Sequence, residues 1–317
     1  NDLFENTHTS EAELAFFKEM AGPQRKVRYT TYSFEDYPEE EVAAYGRENS
    51  ELFRRMKLSR ITINTGEDEA QEVYSRVQEE PAGFAEMART YSSDSYSEKG
   101  GDMGSRYFYE LETELSQKAE REEVFSLEGG ELSNLYETSF GWVFYRCDEP
   151  ARQPDFTSEE TLGKVRNYIS RFERGMVEDY LIARAEELRG QAQSEGFATA
   201  ARNADRTIGT SGFFAINYGN VPFFRPVQDE SGSGPLSSAA YNEDFFRKVF
   251  SSRINGVPEP MLVNNSVFLV QVLDEREAQD SSRSMIDAYA PYILQSFLEE
   301  DLQQDILQSD KLKDNFD

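Results

Sequence analysis

Imidazole and thiol are nearly missing from this chain: His8 is its only histidine and Cys147 its only cysteine. One cysteine excludes an internal disulfide, and one residue of each kind cannot assemble a zinc site. A Ser-His-Asp or Cys-His pair would have to recruit His8, which lies in a polar stretch that reads as a frayed end. Basic charge is also short. Lys and Arg number 33 against 60 Asp and Glu, leaving a net charge of −27. Such a surface repels phosphate backbones, so nucleic acid is not an expected partner. No apolar run approaches the roughly 18 residues that a spanning helix needs.

What is abundant is aromatic surface, 23 Phe and 17 Tyr. Rings in this quantity distinguish the chain from acidic disordered sequences and predict a packed core. A length of 317 residues suits about two domains. Residues Glu11 to Met20 read as an amphipathic helix that stops before Gly22-Pro23, and Val27, Tyr29 and Thr31 alternate as a strand. Pro38 and three glutamates after it open a helix running through Val42 and Tyr45 toward Phe53. Leu58 to Ile63 is a strand, and Ala70, Val73, Tyr74 and Val77 keep the spacing of one helical face. Phe84, Met87, Ala88 and Tyr91 repeat that spacing, followed by a polar loop from Ser92 to Gly104. Tyr136 to Cys147 reads as a hairpin around Phe140-Gly141. Residues 157–195 read as one long helical stretch, 219–242 as a mobile Gly/Ser/Pro loop, Val267 to Leu273 as a strand and 282–307 as a closing helix.

The order of elements occurs twice. Val124-Phe125-Ser126, a glycine and an apolar strand ending Asp148-Glu149 return as Val249-Phe250-Ser251, Gly256 and a strand ending Asp274-Glu275. Helices with an Ala/Phe stripe precede each copy, as expected for a duplicated fold.

Residues 57–149 resemble a parvulin, the PpiC-type peptidyl-prolyl isomerase. The resemblance is carried by Phe84-Ala85-Glu86-Met87-Ala88, Lys99-Gly100-Gly101-Asp102-Met103-Gly104, Val124-Phe125-Ser126-Leu127, Gly130-Glu131-Leu132-Ser133 and Thr138-Ser139-Phe140-Gly141, in that order. The wider layout is similar to exported folding factors of the SurA/PpiD type. That implies an α+β fold with two parvulin-like domains (small mixed sheets with flanking helices), at 57–150 and, in degenerate form, at 196–276. A helical connector would occupy 151–195. Residues 1–56 and 277–317 would form one helical chaperone-type domain, packed together because each is short of apolar surface to bury alone. The family's signal or membrane anchor would precede Asn1. A periplasmic or otherwise exported location follows from the same resemblance, and the scarcity of thiols suits it.

Parvulins use two histidines on adjacent central strands, near a Cys or Asp and an apolar proline pocket. By the resemblance, the histidine positions are Arg60 and Val143, the acid is Asp94 and a neighbouring threonine is Thr138. Met103, Leu111 and Leu115 map to the proline pocket, and Phe125 and Trp142 join the chain-binding set. Arginine keeps its proton and cannot reproduce paired imidazoles. The second copy's closing strand, Val267-Phe268-Leu269-Val270, has no polar side chain. Asp94 also reads as an acid capping its own loop.

Two smaller motifs are set aside. Asp94, Glu98 and Asp102 lack the spacing of an EF-hand, and Asn264-Asn265-Ser266 reads as a hairpin turn before it reads as a glycosylation site. No metal and no cofactor is expected. Three functions stay open: a chaperone for unfolded or outer-membrane clients without isomerase activity, an active isomerase using Asp94 and an apolar pocket, and an assembly module presenting parvulin surfaces to a fixed partner.

Overall fold

The structure, a computed structural model, describes residues 10–218, 221 and 224–307, so His8 lies outside the described residues. Chain order runs α1 (Glu11–Ala21), β1 (Pro23–Ser33), α2 (Glu39–Glu48), β2 (Arg55–Ile63), α3 (Glu67–Glu79), α4 (Phe84–Tyr91), β3 (Asp102–Tyr107), α5 (Lys118–Phe125), β4 (Tyr136–Thr138) and β5 (Gly141–Arg152). There follow α6 (Glu159–Phe172), α7 (Arg174–Glu195), α8 (Phe197–Asn203), β6 (Gly209–Thr210), α9 (Glu243–Ser251), β7 (Met261–Val263), β8 (Ser266–Glu277) and α10 (Asp280–Leu307). The class is α+β, with two four-stranded antiparallel sheets.

The chain divides into two compact units. Pro38–Arg174 forms one, and the segments up to Tyr37 and from Gly175 onward form the other. The parvulin-like unit is therefore inserted, in sequence, into the second fold. The boundaries expected at 56, 150 and 195 move for two physical reasons. First, Tyr168 of α6 meets Tyr45 of α2 at 6.2 Å between centroids, and Phe53 and Tyr109 of two short 3-10 turns at 5.5 and 5.0 Å. Second, β1 is not part of a helical domain. It pairs along its whole length with β8 and supplies an inner strand of the second sheet.

In the inserted unit the sheet order is β3-β2-β5-β4. Alternation along β2 and β5 gives each sheet face its own core. Ile61, Ile63 and Phe144 face α3 and α4, where Val73, Val77, Phe84 and Ala88 complete the cluster. Met56, Leu58, Val143, Tyr145 and Cys147 face the other way, under Val124 and Phe125 of α5 and the short 3-10 turn Phe108–Thr113. Gly101 lets the loop after α4 close against this sheet: its φ is +87°, and a Cβ there would sit 2.6 Å from the Arg60 carbonyl oxygen.

The second sheet runs β6-β1-β8-β7, the same connectivity with β1 in the place of β2 and β8 in the place of β5. The sequence repeat thus corresponds to a repeated topology, with the two Val-Phe-Ser tripeptides ending α5 and α9. Its helix α1 is started by a capping box in which the Glu13 N–H donates to Ser10 Oγ and the Ser10 N–H to Glu13 Oε2. Phe17 and Ala21 of α1 pack against Ile286, Ala290 and Ile293 of α10.

Two further expectations change. The helical stretch at 157–195 is two helices, α6 and α7, separated at Glu173. The described part of 219–242 is tied down: Val227, Leu236, Ala239 and Ala240 join the core, the last three within a 3-10 turn at Pro235–Tyr241. Asn264 takes a positive φ of 54° in the β7–β8 turn, which accounts for its motif as turn chemistry.

Candidate functional site

The sheet register places Arg60 opposite Tyr145 and Thr62 opposite Val143, all on the face covered by α5. The loop after α4 brings Asp94 over the same face, because the Ser93 N–H donates to the Thr62 carbonyl at 2.8 Å. Both family histidine positions and the acid position therefore meet at one place in the sheet.

What they form is a closed polar network. Arg60 Nε donates to Asp94 Oδ2 at 2.8 Å, and Arg60 Nη1 donates to Glu114 Oε1. Asp94 also accepts from Thr62 Oγ1 at 2.7 Å and from the Tyr96 N–H at 2.8 Å. Tyr145, fully buried, donates its hydroxyl to Glu114 Oε2 at 2.6 Å. The Tyr96 ring lies under the Arg60 guanidinium, 5.1 Å from its centre. Burial would pull the Arg60 pKa down, but the Glu114 and Asp94 carboxylates outweigh it and hold the guanidinium above its ordinary value. Burial first, then the Glu114 charge, raises the Tyr145 phenol well above the tyrosine range. Around neutral pH, then, Arg60 is a fixed cation and Tyr145 a fixed donor.

The apolar residues assigned to the proline pocket also meet, as core. Met103, Leu111, Leu115 and Phe125 cluster with Val143, and their exposures are 7, 1, 1 and 4%. All four are packed into the core beneath the sheet and expose little surface. Val143 contributes no polar atom.

Two assigned residues stand elsewhere. Trp142 lies on the opposite face of the sheet, packed with Ile63 and Phe144, because neighbours in a strand point to opposite sides. Thr138 is spent on the β4–β5 hairpin, donating to the Gly141 carbonyl at 2.8 Å and accepting from the Phe140 N–H. Glu114, Tyr145, Thr62 and Tyr96 were not singled out from sequence. Tyr145 had a signal, standing two residues beyond Val143 on the same strand face. Glu114 had none, since it lies in the extra residues between Gly104 and Val124 that blur the family alignment. Among the described residues, no group of His, Cys, Asp and Glu is placed to hold a metal ion.

Residues 52–149 match the family model of the PPIC-type PPIase domain, the rotamases. The chain carries a parvulin-type domain over these residues. This parvulin domain is 33% identical over 92 residues to the foldase protein PrsA of Staphylococcus aureus, a match covering 29% of the chain and 26% of that protein's length. An uncharacterized protein of Treponema pallidum is 28% identical over 211 residues, 66% of this chain and 82% of its own. Residues 210–277, in the second fold, match the TP_0929 third-domain family. Among solved structures, PrsA of Bacillus cereus aligns with 53% of this chain and 58% of its own at 21% identity and a TM-score of 0.33.

The second fold repeats the parvulin site in altered form. Phe268 pairs with Thr31 and Met261, as Val143 pairs with Thr62 and Tyr136, so Tyr29 stands at the position of Arg60. The buried Tyr29 hydroxyl donates to Asp229, whose other oxygen accepts from the Leu236 N–H at 3.0 Å. In both folds a residue of the first strand is locked to an acid from the connection between the second strand and the following helix.

Proposed function

We propose that this chain is a parvulin-family folding factor that holds unfolded, extended polypeptides and has lost the prolyl-isomerase step. One observation supports the reading: Arg60, Asp94, Glu114 and Tyr145, gathered on the face where the resemblance puts the parvulin site, are hydrogen-bonded to one another. Rotating an X-Pro bond means crossing a barrier of roughly 20 kcal/mol set by amide resonance. An enzyme lowers it with groups that meet the twisted amide better than the planar one. Here the polar groups are engaged with each other, and the apolar residues beside them are buried in the core. The PrsA relative, named a foldase, supports the class of function, and the aromatic content supports affinity for apolar segments. We place the protein in an exported, periplasmic setting with outer-membrane proteins among its clients, where the net charge of −27 keeps complexes with sticky chains in solution.

A proline-tetrapeptide isomerisation assay tests the catalytic half. Rates at background are expected for the chain and for Asp94→Ala; a rate well above background that Asp94→Ala removes would establish an active isomerase instead. Aggregation of an unfolded outer-membrane protein tests the other half, and its suppression at stoichiometric concentration is expected. A single tight complex with one native partner, with no effect on unfolded chains, would identify an assembly module.

A further inference from the structure

We infer that clients are held in an apolar cleft of the second fold, outside the parvulin site, and that the favoured segment is an extended apolar stretch flanked by lysine or arginine. This rests on the client-holding reading above and assigns its site and ligand chemistry.

The cleft has a volume of about 640 Å³ and lies between α1, α9 and α10. Phe16, Met20, Phe246, Phe250 and Phe297 line it. Buried Phe246 belongs to the core and forms a fixed floor, whereas Phe16, Tyr218 and Phe297 keep exposures of 64, 52 and 39%. Large side chains left in water around one concavity are an unfilled apolar surface rather than scattered exposure. Lining residues from three helices would let alternate side chains of an extended chain enter while its backbone stays solvated.

Charge selects among apolar occupants. Glu13 and Glu243 stand on the lining as exposed carboxylates, and the one lining cation, Arg247, is already paired with Asp244. The rim is thus net acidic on a chain that is itself strongly acidic. A second copy would bring its own negative charge to this rim, whereas a client with basic flanks gains attraction there.

The test is fluorescence-anisotropy binding of two labelled peptides to the whole chain. Both alternate phenylalanine and serine; one carries paired lysines at its ends and the other paired glutamates. The lysine peptide should bind at least about fivefold more tightly, a difference that 0.15 M salt narrows. Phe16→Ser with Tyr218→Ser should weaken the lysine peptide by about tenfold or more, and both positions are exposed enough to change without unfolding the protein. Glu13→Gln with Glu243→Gln should shrink the preference between peptides while retaining the glutamine-compatible cap of α1. Unchanged binding in the aromatic variant, or equal affinity for the two peptides, overturns the assignment of the cleft and leaves client holding in place. Failure of the unaltered chain to bind either peptide overturns both. A dimer in sedimentation that the aromatic variant dissociates would give the cleft to a second copy and overturn the proposal.

Discussion

Tyr145 donates its hydroxyl to one oxygen of Glu114 at 2.6 Å while Arg60 holds the other oxygen. A single carboxylate from the β3–α5 connection therefore fastens both central strands of the parvulin sheet. The relationship makes Glu114 a clamp between the two strands, and its consequences are measurable.

Removing the cation leaves two carboxylates facing each other with little solvent. Arg60→Met should destabilise the protein by about 3–5 kcal/mol, the usual cost of breaking a buried ion pair. Urea denaturation reads this directly. Adding Asp94→Asn and Glu114→Gln to Arg60→Met should recover a large part of the loss, because the stranded charges are gone.

The inverted site in the second fold makes a smaller, independent prediction. Tyr29→Phe removes the hydroxyl that donates to buried Asp229, so a loss of about 1–3 kcal/mol is expected. Leu236 N–H still serves the second oxygen, which keeps the effect below that at Arg60. The same denaturation experiment compares the two.

Raising the pH into the alkaline range should destabilise the protein. Burial, aided by Asp148, pushes the Cys147 thiol from 9.0 up to about 11, and burial with Glu110 pushes the Tyr109 phenol from 10.0 up to about 12. Both groups stay protonated in the fold after their unfolded counterparts have ionised. Their stabilising effect is complete below the unfolded values and disappears as pH climbs from there to the folded values. The urea midpoint should therefore fall steadily between pH 9 and 11, the span of the Cys147 shift, and Cys147 should resist a thiol reagent in the native protein at pH 8 yet react at once in urea.

Gly101 offers a purely steric check. With φ at +87° and the Arg60 carbonyl 2.6 Å from a hypothetical Cβ, Gly101→Ala should cost about 2–3 kcal/mol. Gly163→Ala, at a helical position where a Cβ meets nothing within 4 Å, should be neutral or mildly stabilising by comparison.

Local pattern made much of this architecture readable. The stripe Phe84, Met87, Ala88 and Tyr91, the glycines after Lys99 and the paired Val-Phe-Ser tripeptides located the parvulin domain and its repeat, since each is a nearest-neighbour feature of spacing or turn chemistry. Alignment by resemblance puts Asp94 and Arg60 near one another, and their side chains are hydrogen-bonded. What sequence left hidden is long range. Alternation marked Val27–Thr31 as a strand but carries no information about its partner, so β1 was grouped with the helices instead of with β8. Glu114 was invisible for the same reason, its meaning depending on Tyr145, a residue 31 positions away. Trp142 was within reach: adjacent strand residues cannot share a face, and Val143 was already assigned to the site.

The insertion of one fold within the other also sets an order of assembly. Arg28 and Gln271, hydrogen-bonded neighbours across β1 and β8, are 243 residues apart along the chain. During synthesis β1 emerges long before β8, and the parvulin domain, whose strands all lie between Arg55 and Arg152, can finish folding in between. Until the last hairpin appears, β1 is an unpaired edge awaiting its complement. The proposed holder of unfinished chains thus passes through such a state itself, and truncation before β8 would leave a nascent chain with a folded middle and an unclosed outer sheet.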